Sequence, residues 1–362
     1  MEKMFYFMNV DISWIKQRPH YLAEELLNRY ELEVYYPHFY SRKVLTNDGI
    51  VGNCKTHQIF RVPNRIKIGF LHKVVDYVNS RIIRSSINIH KPKILFITNP
   101  SQTGFIPKNY NGIVIYDCMD DLIALATDNF NRTKVILNET KLVNISSSIL
   151  VSSLELKNVL MRRYGNELAE KITLCRNAYN GDLVEIKSYK RNELFTLLYF
   201  GTISSWFDLK LIISSLTVFD NIKYVFAGPV IDGVVIPEHD RIEYVGIVDH
   251  EKLENLAQKA DCFIMPFVLN EVTKAVDPVK FYEYINYYRN IISINYQEIQ
   301  RYSKFVCFYD DENSYFKAIE YVMNNNVKYS INDKLEFLSQ NKWSNRAETI
   351  NQVIEELERR PA

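Results

Sequence analysis

Glycine is scarce in this chain, at 11 of 362 residues. Glycine-rich phosphate loops and flexible linkers both depend on it, so neither is expected. Cysteine is sparse and unpatterned. Cys54, Cys118, Cys175, Cys262 and Cys307 are widely spread and include no Cys-x-x-Cys pair. A disulfide framework and a zinc site are therefore not expected, and a reducing cytoplasm is the natural setting. The seven histidines form no His-x-x-x-His pair, and no metal ligand set is predicted. A charge of one sign is missing too: formal net charge is +1, so no global field favours nucleic acid as a partner. No run of about 18 uncharged apolar residues occurs, so no membrane span is expected, and Met1–Asp11 is too short for a signal peptide.

What is abundant is aromatic and aliphatic. Tyr (25) and Phe (20) are frequent, and 47% of residues are hydrophobic against 24% charged. At this length such a composition fits two globular domains of comparable size. Apolar runs alternate with amphipathic stretches. Strands are predicted at Met4–Val10, Leu32–Tyr36, Ile94–Thr98, Ile113–Tyr116 and Ile149–Ser152, with a helix over Pro19–Tyr30. After a polar stretch from Gly181 to Glu193 the series restarts. Strands are expected at Phe195–Phe200, Tyr224–Ala227, Ile242–Val245, Cys262–Pro266 and Ile291–Ile294, and helices at Leu209–Val218, His250–Lys259, Val279–Tyr287 and Ile331–Leu357. The organisation read from this is 1–180 as an N-terminal Rossmann-like acceptor domain and 181–194 as a linker. Residues 195–335 form a Rossmann-like donor domain, and 336–362 a C-terminal helix packing back toward the first domain. Such α/β domains bind ligands beyond the carboxyl ends of their strands, and two of them would face a central cleft.

Chemistry concentrates in Glu271–Ile292. Asp277 is a good helix N-cap residue and Pro278 suits a first turn. A helix start offers free N–H groups and a positive dipole end, which suit a diphosphate. Lys274 and Lys280 flank it. Glu283 would lie roughly 7–8 Å down the helix, about the distance from a diphosphate to the ribose of one nucleotide. The same spacing also fits a capped, solvated surface helix. Arg18, beside Pro19 at the end of the first strand, could bind a phosphate, or be a surface arginine near a helix cap. Asp117, Asp120 and Asp121 follow another strand and could orient an acceptor hydroxyl; Asp117 ranks first because it is nearest the strand end. Asp120 or Asp121 fits equally well as a helix N-cap. Residues 61–93 are basic and apolar, with Asp76 the sole acid, a composition that suits either an anionic membrane surface or an ordinary packed helix with a solvated basic edge.

In order and spacing, a set of segments resembles the GT-B glycosyltransferases of the family-four type, in the bacterial cell-surface polysaccharide branch that includes teichuronic-acid glycosyltransferases. The first-half segments are WIKQRPHYLAEEL (Trp14–Leu26), VIYDCMDD (Val114–Asp121), ILVSS (Ile149–Ser153) and CRNAYN (Cys175–Asn180). The rest are LLYFGTISSWFDLKLI (Leu197–Ile212), FAGP (Phe226–Pro229), VGIVDHEKL (Val245–Leu253), ADCFIMPF (Ala260–Phe267), DPVKFYEY (Asp277–Tyr284) and NKWSNRAE (Asn341–Glu348). The resemblance implies an α/β GT-B fold of two doubly wound Rossmann-like domains. It implies sugar transfer from a UDP- or GDP-linked donor to a glycan or lipid-linked glycan acceptor, retaining and metal-independent, with no cofactor beyond that co-substrate. It makes the protein cytoplasmic, or peripheral at the inner face of the plasma membrane. By it, Glu283 matches the ribose-binding Glu; Pro278, Val279, Lys280, Lys274, Gly201, Thr202, Gly246 and Ile247 fall on the donor site. Asp117, Asp120 and Arg18 are the catalytic candidates, and Trp14, His20 and Asp121 contact the acceptor. The chain departs from the pattern at Ala275, where the sugar-contacting Glu is expected, and at Thr202 and Trp206-Phe207-Asp208, where the basic phosphate clamp is expected. Those losses support a second reading, a GT-B-shaped binding or assembly subunit.

Overall fold

The computed structural model describes residues 1–14, 16–38, 52–62, 69–126, 128–179, 181–185 and 193–359. The chain divides into two compact units, Met1–Asn180 with Lys342–Ala362, and Gly181–Asn341.

The first unit runs β1 (Glu2–Phe7), α1 (Arg18–Leu26), β2 (Tyr30–Pro37), β3 (Lys55–Ile59), α2 (Gly69–His90), β4 (Ile94–Ile97), β5 (Ile113–Cys118), α3 (Asn129–Ile145), β6 (Ser148–Val151), α4 (Leu154–Tyr164) and β7 (Ile172–Leu174). All strands pair in parallel in the order β3-β2-β1-β4-β5-β6-β7. The central strands are buried on both faces, which is why β1 reads Met4-Phe5-Tyr6-Phe7 rather than alternating.

The second unit runs β8 (Phe195–Phe200), α5 (Leu209–Val218), β9 (Ile222–Ala227), β10 (Ile242–Tyr244), α6 (His250–Lys259), β11 (Cys262–Met265), the single turn α7 (Glu271–Lys274), α8 (Val279–Asn286), β12 (Asn290–Ile294), β13 (Val306–Tyr309), α9 (Glu312–Asn324) and α10 (Ile331–Gln340). Its strands are also parallel, ordered β10-β9-β8-β11-β12-β13. Strand order reverses beside β1 in one sheet and beside β8 in the other, and such switch points open a crevice at the carboxyl edge.

The tail differs from the single helix expected over Ile331–Leu357. It breaks at Asn341-Lys342, and α11 (Trp343–Arg359) follows. Phe337 of α10 stacks on Tyr282 of α8 at 5.6 Å, so residues 336–340 belong to the second unit. Trp343 of α11 stacks on Tyr21 of α1 at 5.4 Å, and Ala347, Ile350 and Ile354 enter the core beneath β1. Of the expected linker, 186–192 lies outside the described residues, as do 63–68 of the basic segment. Among the described residues no helix is long and apolar enough to cross a membrane.

Candidate functional site

The carboxyl edge of the second sheet is built from backbone. Gly201, Gly228 and Gly246 end β8, β9 and β10, with φ of 146°, 130° and 72°. Gly201 N–H donates to Ala227 O at 2.9 Å, and Gly228 N–H to Gly246 O at 2.8 Å. A Cβ on Gly228 would stand 2.1 Å from the Gly201 carbonyl oxygen, so only glycine permits this approach. Thr202 follows, its carbonyl accepting from the Tyr199 hydroxyl at 2.9 Å. Ile247, beyond Gly246, is 74% exposed.

The start of α8 meets this row. Lys280 passes over Gly201, where a Cβ would approach its Cε at 3.0 Å. Its ammonium lies 5.4 Å from the Phe200 ring centroid and donates to Glu283 Oε2 at 3.2 Å. Both side chains stay about a third exposed, at 31% and 36%. The structure thus brings Gly201, Lys280 and Glu283 together beside Pro278 and Val279. Lys274 is exposed at the end of α7 and joins no hydrogen bond with them.

Asp277 has a different place from the cap expected of it. Pro278, not Asp277, occupies the N-cap position of α8. It is fully buried, 2.6 Å from Arg301 Nη2, and accepts from the Tyr282 and Tyr302 hydroxyls at 3.3 and 3.2 Å. The Arg301 guanidinium lies 4.1 Å from the Tyr302 ring centroid. This network fixes the chain just before α8. Ala275 is 2% exposed, and its methyl group stands where the resemblance expects the sugar-contacting Glu.

The carboxyl edge of the first sheet holds charges instead. Arg18 opens α1 and forms a two-pronged pair with Asp117 of β5, Nη2 to Oδ1 at 2.7 Å and Nε to Oδ2 at 2.9 Å. Burial works against the Arg18 charge, but the Asp117 carboxylate and Cys175 together outweigh it and the guanidinium pKa is raised. Arg18 Nη1 also donates to the Arg176 carbonyl at 3.1 Å and to Asn177 Oδ1 at 3.3 Å, and the Trp343 ring lies 6.0 Å away. Arg18 is thus not an open phosphate ligand, nor is Asp117 an open base: their side chains are 4% and 0% exposed.

Asp121 is likewise engaged. Arg163 donates to both its oxygens at 2.8 and 2.6 Å, and the Ala124 N–H donates to Oδ1 at 3.0 Å. Arg163 also reaches Glu139, whose carboxyl is pushed up by burial and held back by hydrogen bonds from Tyr164 and Tyr116. Asp120 is the open member of the three: it is exposed, and its carboxylate makes no hydrogen bond or ion pair among the described residues. Although the residue keeps solvent access, the protein atoms around its carboxyl desolvate it and raise its pKa; Arg18 opposes this, while Asp117 and Asp121 add to it.

His20 is buried, with Nδ1 accepting from Gln17 N–H at 3.1 Å and Nε2 facing the Asp11 carbonyl at 3.1 Å. The first contact makes Nε2 the protonated nitrogen. Burial lowers its pKa. His20 therefore caps α1 and ties it to the loop at Asp11, rather than meeting an acceptor. Trp14 stands half-buried in that loop, its N–H donating to Asp11 O at 3.0 Å. Sequence reasoning missed Arg163, Arg301 and Asn177; only Asn177 carried a signal, as part of CRNAYN.

The fold matches solved glycosyltransferases. The sucrose-phosphate synthase of Thermosynechococcus elongatus aligns with a TM-score of 0.73 at 10% identity, covering 99% of this chain and 99% of that one. Anabaena HepE, in complex with UDP and glucose, gives 0.69 at 11% identity over 98% of this chain and 100% of that one. The lipopolysaccharide outer core galactosyltransferase WaaB, in its apo form, gives 0.67 at 12% identity over 98% and 99%. At such identities the likeness establishes the fold: two parallel Rossmann-like sheets flanked by helices, the GT-B architecture. No protein-family profile matches the chain, and no curated protein matches its sequence.

Proposed function

We propose that this protein is a glycosyltransferase that takes a sugar from a UDP- or GDP-linked donor and passes it to a glycan or lipid-linked glycan acceptor in bacterial surface polysaccharide synthesis. The observation that carries the reading is the start of α8 beside the glycine row, with Lys280 and Glu283 about a third exposed there. The free N–H groups at Val279 and Lys280, with the Lys280 ammonium, would stabilise the departing diphosphate. Glu283 would accept from the ribose hydroxyls. Gly246 and Ile247 would meet the base through backbone. We read the reaction as retaining and metal-independent, the diphosphate charge being met by the helix end and Lys280. Asp120 is the acidic side chain of the first unit open to an acceptor hydroxyl, with Trp14 near the same strand ends. Arg18, Asp117 and Asp121 frame that edge. Turnover with a panel of UDP-, GDP- and dTDP-sugars tests the proposal; transfer or slow hydrolysis of one donor is expected, and inertness toward all would contradict it.

Ala275 favours the second reading, a binding or assembly subunit that holds a nucleotide sugar without transferring it. Saturable donor binding without turnover would select it.

For the partner surface, α2 buries Ile83 and Ile87 while Phe70, Val74, Tyr77, Val78 and Ile82 stay exposed, beside the exposed Lys73 and Arg81. An apolar stripe flanked by cations suits an anionic lipid surface, and so a peripheral location at the inner face of the plasma membrane. Sedimentation with anionic vesicles at low salt should retain the protein; binding lost neither by salt nor by Phe70→Glu/Ile82→Glu would contradict that surface.

A further inference from the structure

A second concave site lies within the second unit, apart from Gly201, Lys280 and Glu283. A cavity of about 460 Å³ opens between the starts of α5 and α9 and the ends of β12 and β13. That volume is typical of small-molecule sites. Its lining is acidic: Asp208, Asp310, Asp311 and Glu312 contribute carboxylates, and Lys210 is the only cation among the described lining residues.

Two of these acids already serve the helices. Asp208 Oδ1 accepts from Leu211 N–H at 2.9 Å, and Asp311 Oδ1 from Ser314 N–H at 2.7 Å. Each helix start is therefore already met by the carboxylate of its own cap. The Glu312 carboxylate makes no hydrogen bond or ion pair among the described residues. Phe267 and Ile294 supply an apolar wall.

Tyr309 gives the cavity a second, independent feature. It lines the cavity and is 3% exposed, yet its buried hydroxyl finds no hydrogen-bond partner among the described residues. Leaving a buried hydroxyl unsatisfied is unfavourable, and a ligand with a complementary polar atom would relieve it. Among the described residues no group of three or more His, Cys, Asp or Glu could hold a metal ion. The carboxylates are spread, which suits a larger organic cation.

We propose that this cavity binds a small protonated aliphatic amine. Its ammonium sits beside Glu312 and Asp310, its carbon body rests on Phe267 and Ile294, and a second polar atom meets the Tyr309 hydroxyl. Such an amine could be an amino sugar or a polyamine. The two share this chemistry but differ in their second polar group.

Calorimetric titration of the full-length protein with glucosamine and with putrescine, with glucose as the uncharged control, tests the proposal. At least one amine should saturate the protein while glucose does not. A preference for glucosamine assigns amino sugars as the source, and a preference for putrescine assigns polyamines. Tyr309→Phe should weaken the bound amine by roughly five- to tenfold. It should not lower Tm, since the hydroxyl has no bond to lose. The double variant Asp310→Asn/Glu312→Gln, which leaves both helix caps in place, should weaken it further. The proposal is overturned if neither amine binds, if glucose binds as well as glucosamine, or if Tyr309→Phe and the double variant leave the affinity unchanged.

Discussion

At the carboxyl edge of the first sheet, Arg18 and Asp117 are buried against each other with side chains 4% and 0% exposed. At the same edge of the second sheet, Lys280 and Glu283 share one 3.2 Å contact while keeping 31% and 36% of their surface. The strand order around β1 and around β8 is the same, so topology does not explain the contrast; what occupies the edge does. A buried pair is committed: each charge has lost its water and depends on the other. A part-exposed pair contributes well under 1 kcal/mol, so its members can be drawn off by a diphosphate and a ribose at little cost. The first edge commits its charges to each other, and the second leaves its charges open to solvent.

Removing one member of the committed pair breaks the contrast most severely. Asp117→Ala would strand the Arg18 guanidinium and should cost about 3–5 kcal/mol in urea unfolding. The double change Arg18→Met/Asp117→Leu should regain most of it. A near-neutral Asp117→Ala would show that the pair is not buried in solution. The second edge depends on backbone rather than charge. Gly228→Ala forces a Cβ against the Gly201 carbonyl at positive φ and should cost about 2–4 kcal/mol in the unfolding of the second unit.

A smaller effect comes from His20. Its folded pKa is lowered from 6.5 by burial. Above the unfolded value both states are neutral and the stability is fully present. As pH falls through it, the unfolded chain takes up a proton that the folded chain resists, and stability falls. The slope cannot exceed about 1.4 kcal/mol per pH unit for this group. Urea midpoints between about pH 7.5 and 5.5 should show it, and His20→Gln should flatten it. The smallest effect is at Asp120. Asp120→Asn should change stability by no more than about 0.5 kcal/mol, in contrast to its neighbour Asp117. A large loss would mean that the open carboxylate is a structural one.

Local signals in the sequence set much of this architecture. β8, α5 and α6 fall at Phe195–Phe200, Leu209–Val218 and His250–Lys259 as expected, because each is a bounded apolar or amphipathic run and Asp208 and Asp249 cap the two helices. β3 was not legible. Its KTHQI buries only Ile59, so a polar edge strand resembles a loop. β7, at three residues, is too short to show a period. The break at Asn341-Lys342 carries no Pro or Gly, so two helices read as one. The Lys280–Glu283 spacing was legible because it is local. The partners of Asp117 and Asp277 were not: Arg18 is 99 residues from the first and Arg301 24 from the second. An aspartate at a strand end or before a proline looks the same whether it faces solvent or a distant arginine.

Whether the start of α8 holds a nucleotide sugar through Glu283 is decided by calorimetric titration of UDP and GDP into the wild type and Glu283→Ala. One nucleotide should bind the wild type and bind Glu283→Ala at least about tenfold more weakly, with Tm unchanged. Equal affinity in the two proteins would contradict it.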